Sequence, residues 1–171
     1  MKINTGAQIS KSIKCDSPAF YGAWQDSWGL DKPNNADDYY YLTWLINTSL
    51  TNVTQYYDFT LDDTFNEVGG EIVAYKFQNQ SRYTDSNTVL KQRSSERHDY
   101  VLTKHLKSQY SSLNEYTLHN SVTVTVTPCD GVDSPTSADS TAQFVDGKPT
   151  GTDDYGALWD IIPVLFCSAK Y

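Results

Sequence analysis

The chain is poor in the residues that usually staple a small secreted domain. It has 3 cysteines among 171 residues. Cys15, Cys129 and Cys167 show no metal-ligand spacing, and an odd count is not a disulfide framework. One pair, Cys15–Cys129, stays open as a bridge between the two ends of a domain. Basic residues are also scarce: 13 Lys and Arg against 21 Asp and Glu leave a net charge of −8 and a pI near 4.6. Without basic patches the chain is a poor match for nucleic acid or for an anionic membrane surface. No apolar run reaches the ~20 residues of a membrane span. The nearest, Leu158 to Phe166, is interrupted by Asp160 and Pro163. The N-terminus MKINTGAQISKSIK lacks the apolar stretch of a signal peptide, so a secreted form is expected to be a piece of something longer. No helix-period apolar stretch is long enough to anchor a helical domain. Internal repeats, a Ser/His/Asp order and a phosphate-cradling glycine loop are missing too, and an enzyme is not expected.

Aromatic residues are what the chain does have, with 13 Tyr, 6 Phe and 4 Trp. Together with Thr, Val and Ile they favour strands over helices. Residues 7–14 alternate and predict a first strand. Residues 16–38 read as a loop, in which Trp24 and Trp28 suggest a packed flap. Tyr39 to Asn47 is the strongest strand pattern, with Tyr40, Leu42, Trp44 and Ile46 on one face. Val53–Leu61, Glu71–Phe77, Asp99–Leu106 and Tyr116–Thr127 supply further strands. Residues 78–96 read as a long polar loop with a short strand near Val89. Seven or so short strands with turn signals between them predict an all-β sandwich over residues 7–127, after an N-terminal extension at 1–6. The Asp/Ser/Thr/Gly/Pro composition of 128–154 predicts a flexible acidic linker. Residues 155–171 form a tail or the start of a further module.

Three polar residues fall where strand parity calls for apolar ones. Lys11 lies between Ile9 and Ile13, Asp63 shares parity with Phe59, Leu61 and Phe65, and Asn120 with Val122, Val124 and Val126. Burying an amine, a carboxyl and a carboxamide is expensive unless they meet. Met together, they are the reactants and catalyst of an amide cross-link. Desolvation would free the Lys11 amine and keep Asp63 protonated. Protonated Asp63 would polarise the Asn120 carbonyl and shuttle protons as Lys11 Nζ attacks Cγ and ammonia leaves. Taken singly, each residue has a plainer role: Lys11 snorkelling from a strand edge, Asp63 capping a turn with Asp62, Asn120 satisfying a bulge.

The order and pattern of these residues resemble a known family, the immunoglobulin-like modules of Gram-positive surface proteins, including collagen-binding adhesins and pilin shafts. The resemblance covers roughly residues 7–144. It rests on ISKSI with Lys11, YYYLTWLINTSL, FTLDDTF with Asp63, YTLHNSVTVTVTP with Asn120, and the acidic exit DGVDSPTSADSTAQF. Residues 16–38 and 78–96 depart from the family's pattern, and Asp62 is the fallback acid. The resemblance implies an immunoglobulin-like sandwich, an intramolecular Lys11–Asn120 isopeptide assisted by Asp63, and a stalk or adhesin role outside the cell. Attachment would run through parts of the protein not in this chain. It implies no cofactor or metal. The partners would be neighbouring modules of the same polypeptide and a host matrix protein or glycan.

Weaker signals remain. Asn47, Asn52 and Asn79 head glycosylation sequons, which keep a eukaryotic secreted domain open. His98, His105 and His119 lack zinc spacing and read as surface or strand residues. Asp130 and Asp133 fit an acidic linker better than a calcium site. The competing functional reading is a carbohydrate- or protein-binding module without a cross-link, in which Trp24, Trp28 and exposed tyrosines stack on a ligand.

Overall fold

A computed structural model describes residues 6–14, 23–51, 53–65, 69–109, 117–130, 135–145 and 148–151. Among them are nine strands: β1 Gly6–Lys14, β2 Tyr39–Thr51, β3 Tyr57–Phe65, β4 Gly70–Lys76, β5 Thr88–Gln92, β6 Glu96–Leu106, β7 Thr117–Pro128, β8 Thr136–Val145 and β9 Lys148–Gly151. The helical content among these residues is two single turns, Asp26–Trp28 and Ala36–Asp38. All strand pairs are antiparallel. One sheet runs β1-β2-β6-β4 and the other β5-β3-β7-β8-β9. With β5 and β9 set aside and the other strands lettered by chain order, the first is A-B-E-D, and β3-β7-β8 is C-F-G. That is the strand order of a constant-type immunoglobulin sandwich, here widened by β5 and β9.

Alternation builds the space between the sheets. From the first sheet, Leu42, Trp44, Ile46 and Val101 are fully buried; from the second, Phe59, Leu61, Val122, Val124 and Val126 are at most 1 % exposed. Each such side chain contributes about 1.5–3 kcal/mol. The opposite parity of β2 is buried as well. Tyr41 joins Leu102, Ala74, Trp28 and Tyr83 in a second apolar cluster on the outer face of the first sheet. Residues 23–38 before β2 are therefore a packed flap, as Trp24 and Trp28 suggest. Gly29 takes a left-handed φ of 76° where that flap turns. A Cβ there would fall 2.7 Å from Arg82 Nε.

One expectation needs correction. Residues 136–145, expected in an acidic linker, are a full strand paired with β7 from Thr117↔Val145 to Val126↔Thr136. Small polar residues suit a strand paired along its length, because the ladder's hydrogen bonds come from the backbone. The expected tail at 155–171 lies outside the described residues. His105, read as surface or strand, is on a strand but fully buried.

The His105 ring lies 3.0 Å from the Thr103 hydroxyl, which also accepts from Trp44 Nε1 at 2.9 Å. Burial lowers its pKa from 6.5 to about 3. The folded state thus keeps the ring neutral while the unfolded chain takes up a proton below pH ~6.5. The stability tied to this ring is complete above that pH. It is lost as the pH falls toward 3, by up to about 1.4 kcal/mol per pH unit. Urea unfolding between pH 7 and 4 should show His105→Gln losing less stability than the parent chain; identical pH slopes would remove His105 from the account.

Candidate functional site

β3 carries Asp63 and β7 carries Asn120. The register sets Asp63 opposite Val122 and Phe65 opposite Asn120, so carboxyl and carboxamide are diagonal neighbours on one face. Diagonal neighbours on a sheet face stand about 7–8 Å apart. That face is the interior: Asp63 is 8 % exposed and Asn120 is fully buried. The same parity disposes of the fallback acid. Asp62 is exposed on the outer face, where Asn87 Nδ2 donates to its Oδ1 at 3.2 Å.

Lys11 sits on β1 at the register position opposite Ile46, a fully buried residue of β2. The backbone of β1, an edge strand of its own sheet, also lies against β8 and approaches β7 across the sandwich. The fold thus joins Asp63 and Asn120 on one interior face and brings the Lys11 strand to the same side. The Lys11 side chain lies outside the described residues.

Tyr75 is a neighbour that sequence reading missed. Its register partner Val101 faces the interior. Burial raises the Tyr75 hydroxyl pKa, and the charges of Asp63 and then Asp62 add to the rise. The parity of GEIVAYK carried a signal, but the bulge between Ile72 and Ala74 breaks it. Sequence reading also missed Arg97 and Asp99, both fully buried and paired at 2.8 Å. Their shared parity with Val101 was the available clue.

Other candidates resolve differently. Trp28 is 5 % exposed and packed by Trp24, Tyr41 and Tyr83 at ring distances of 5.2, 5.4 and 6.5 Å, so it cannot stack on a ligand. Cys129 carries a free, exposed thiol 3.4 Å from Asp58 Oδ1; Cys15 lies outside the described residues. Asp130 accepts from Gln55 Nε2 at 3.0 Å, and Asp133 lies outside them. Among the described residues no three His, Cys, Asp or Glu side chains cluster as metal ligands. The Asn47 carboxamide meets His98, Asn79 sits exposed in a left-handed conformation, and Asn52 and the His119 side chain lie outside the described residues.

The two acids should separate cleanly in a stability measurement. Asp62→Ala should stay within about 0.5 kcal/mol of the parent, as exposed substitutions do. Asp63→Ala should cost at least about 1–3 kcal/mol by stranding the buried groups it serves. Urea titration of both variants checks this, and equal losses would contradict the assignment of faces.

No protein-family model matches the chain, and no curated protein matches it. Among solved structures it is similar to the collagen-binding subdomain of the Enterococcus faecalis surface protein ACE, at 15 % identity and a TM-score of 0.35 over 68 % of this chain and 90 % of that one. It is also similar to the major pilin SpaD of Corynebacterium diphtheriae, at 9 % identity and a TM-score of 0.42 over 80 % of this chain and 35 % of the pilin. A C-terminal fragment of the major pilin of Streptococcus agalactiae matches at 10 % identity and a TM-score of 0.42, over 85 % of this chain and 55 % of the fragment. These neighbours are adhesin and pilin domains of Gram-positive bacteria. The chain spans about a third to a half of the two pilin structures.

Proposed function

We propose that the chain is a load-bearing module of a bacterial cell-surface adhesin or stalk, closed by a self-formed amide between Lys11 and Asn120. The observation that carries this reading is the diagonal placement of Asp63 and Asn120 on the inner face of β3 and β7. The sequence pattern around Lys11, Asp63 and Asn120 supports it further. In the reaction the neutral Lys11 amine forms a bond from Nζ to Asn120 Cγ. The bond from Cγ to Nδ2 breaks, and ammonia leaves. Asp63 receives the proton lost by Nζ and delivers one to the departing nitrogen, so it ends as it began. Folding supplies the proximity that makes a poor electrophile reactive. The module turns over no substrate. It sits outside the cell and is attached through other parts of its polypeptide, with neighbouring modules on either side and a matrix protein or glycan as the outward partner.

A closed loop of about 100 residues adds roughly 4–5 kcal/mol by restricting the unfolded chain. The test is intact-protein mass. The parent should weigh about 17 Da less than its sequence, the mass of one ammonia. Asp63→Ala and Lys11→Ala should restore the full sequence mass, allowing for the substitution, and Asp62→Ala should not. A parent chain at full sequence mass rules out the cross-link and leaves a plain sandwich.

A further inference from the structure

The second sheet leaves the flank of the sandwich beside Asp63 without a neighbouring strand. β5 pairs with β3 at Tyr57, Phe59 and Thr60. Just beyond, the Leu61 N–H donates to the Asn87 carbonyl at 2.9 Å. Among the described residues no strand pairs with residues 62–65 on that side. An interior carboxyl placed past the end of its neighbour strand needs some other group to keep water away.

Tyr75 comes to this flank from the facing sheet. Two contacts set the relative height of β3 and β6. The Tyr57 hydroxyl donates to the Ser94 carbonyl at 2.7 Å, and the Arg97 guanidinium lies 4.3 Å from the Phe59 ring centre. The two strands therefore run the same way across the sandwich. Facing sheets keep their strands within about 30° of each other. Four residues on from Phe59 and Arg97, Asp63 thus comes level with Val101, whose register partner on β4 is Tyr75. A third contact agrees: Phe77 meets Phe59 with ring centres 6.4 Å apart, and Tyr75 is the next residue of that parity in the direction of Asp63. The backbone of Tyr75 is held from both sides, by β6 and by two hydrogen bonds of 2.7 Å exchanged with Thr84. Its half-buried phenol feels the charges of both Asp63 and Asp62. Those acids stand on opposite faces of β3, so a group that senses both lies beside the strand.

We propose that Tyr75 is a positioning residue for the Lys11–Asn120 reaction: its ring closes the flank that β5 leaves open and keeps water from the Asp63 carboxyl. This role rests on the cross-link reading and adds what keeps its site dry. Burial favours the neutral forms of both an amine and a carboxyl. Water admitted beside Asp63 would restore the ammonium, which has no lone pair to attack with, and the carboxylate, which has no proton to give.

The test follows cross-linking by intact mass in full chains made by cell-free synthesis and sampled over time. Tyr75→Phe keeps the ring and should react within about twofold of the parent rate. Tyr75→Val keeps a strand-forming residue but removes the ring, and should react at least about tenfold more slowly. A second measurement does not need the reaction. Lys11→Met cannot form the amide, so its Asn120 keeps a carboxamide whose Nδ2 hydrogens can be timed in exchange with solvent by ¹⁵N NMR. With Tyr75 intact they should exchange at least about a hundredfold more slowly than a free carboxamide. The Trp44 indole hydrogen, bonded to Thr103 in the core, reports global opening. Adding Tyr75→Val should speed the Asn120 hydrogens at least about tenfold more than the Trp44 hydrogen, and Tyr75→Phe should speed neither. The role of Tyr75 fails, with the cross-link still standing, if Tyr75→Val reacts as fast as the parent or if Tyr75→Phe slows as much as Tyr75→Val. It fails equally if the Asn120 carboxamide exchanges freely with Tyr75 intact, a result that decides the matter even where Tyr75→Val does not fold. A parent chain that never loses ammonia overturns the cross-link itself, and this role falls with it.

Discussion

The sandwich turns on the buried ion pair between Arg97 and Asp99. Both side chains are fully buried. Arg97 Nε donates to Asp99 Oδ2 at 3.1 Å and Nη2 donates to Oδ1 at 2.8 Å. The remaining guanidinium nitrogen, Nη1, reaches Gln92 Oε1 at 3.1 Å, and the cation lies 4.3 Å from the centre of the Phe59 ring. Asp99 Oδ1 also accepts from the Gln78 N–H at 2.8 Å. Burial pushes the Asp99 carboxyl pKa up, against the pull of Arg97 and the Gln78 hydrogen bond. A buried pair of this kind adds little net stability over an apolar pair of the same shape, but losing one partner leaves an uncompensated charge. Its effect is therefore on specificity. Its hydrogen bonds and ring contact connect four separate pieces: β6, the turn after β4, the end of β5 and the Phe59 face of β3. β3 is thereby held at a fixed height against the first sheet, and Asp63 lies farther along that strand.

The second constraint is that β2 is buried on both faces. Tyr41, Thr43 and Leu45 are buried too, at no more than 6 % exposure, alongside the fully buried Leu42, Trp44 and Ile46. A strand of an immunoglobulin sandwich normally shows one parity to solvent. Here the flap around Trp28 and the turn through Tyr83 cover Tyr41 on the outer parity. The cover is bonded as well as packed: Tyr83 N donates to Trp28 O at 3.1 Å, and Tyr75 and Thr84 exchange backbone hydrogen bonds of 2.7 Å. A polar group caught beneath such a cover has no access to bulk water, and that is the situation of the Tyr41 hydroxyl.

These constraints explain which features could be read from the residues. Strands with a strict apolar parity were legible: β7 from Val122 to Val126, β2 from Tyr40 to Ile46, and the parity of Asp63 with Phe59 and Leu61. β8 was not legible, because TSADSTAQFV draws its pairing from backbone hydrogen bonds and carries little of the β-branched and aromatic signal that marks a strand. Arg97, Asp99 and His105 were hidden for a different reason. Each is a polar residue on a parity that β6 otherwise fills with Val101 and Thr103, and only tertiary partners make their burial affordable. The face of Asp63, as against Asp62, was legible in strand parity alone, but its diagonal relation to Asn120 depended on the register of β3 against β7, which the sequence does not reveal.

Taken together, the two faces of the first sheet do different work on the proposed reading. The inner face and the β3–β7 pair hold the groups that would close the chain covalently. The outer face, under the flap, holds the packed cluster of Trp28, Tyr41, Tyr83 and Leu102. Force applied through the ends of a sandwich reaches its edge strands first, because they are held by one ladder instead of two. β1 is such an edge, bound in its sheet to β2 alone. An amide from β1 to β7 would anchor that edge to a strand paired on both sides, by β3 and β8. It would also leave the flap untouched, since the flap packs on the far side of the first sheet. A module built this way can carry load through one face and keep the packed cover of the other intact.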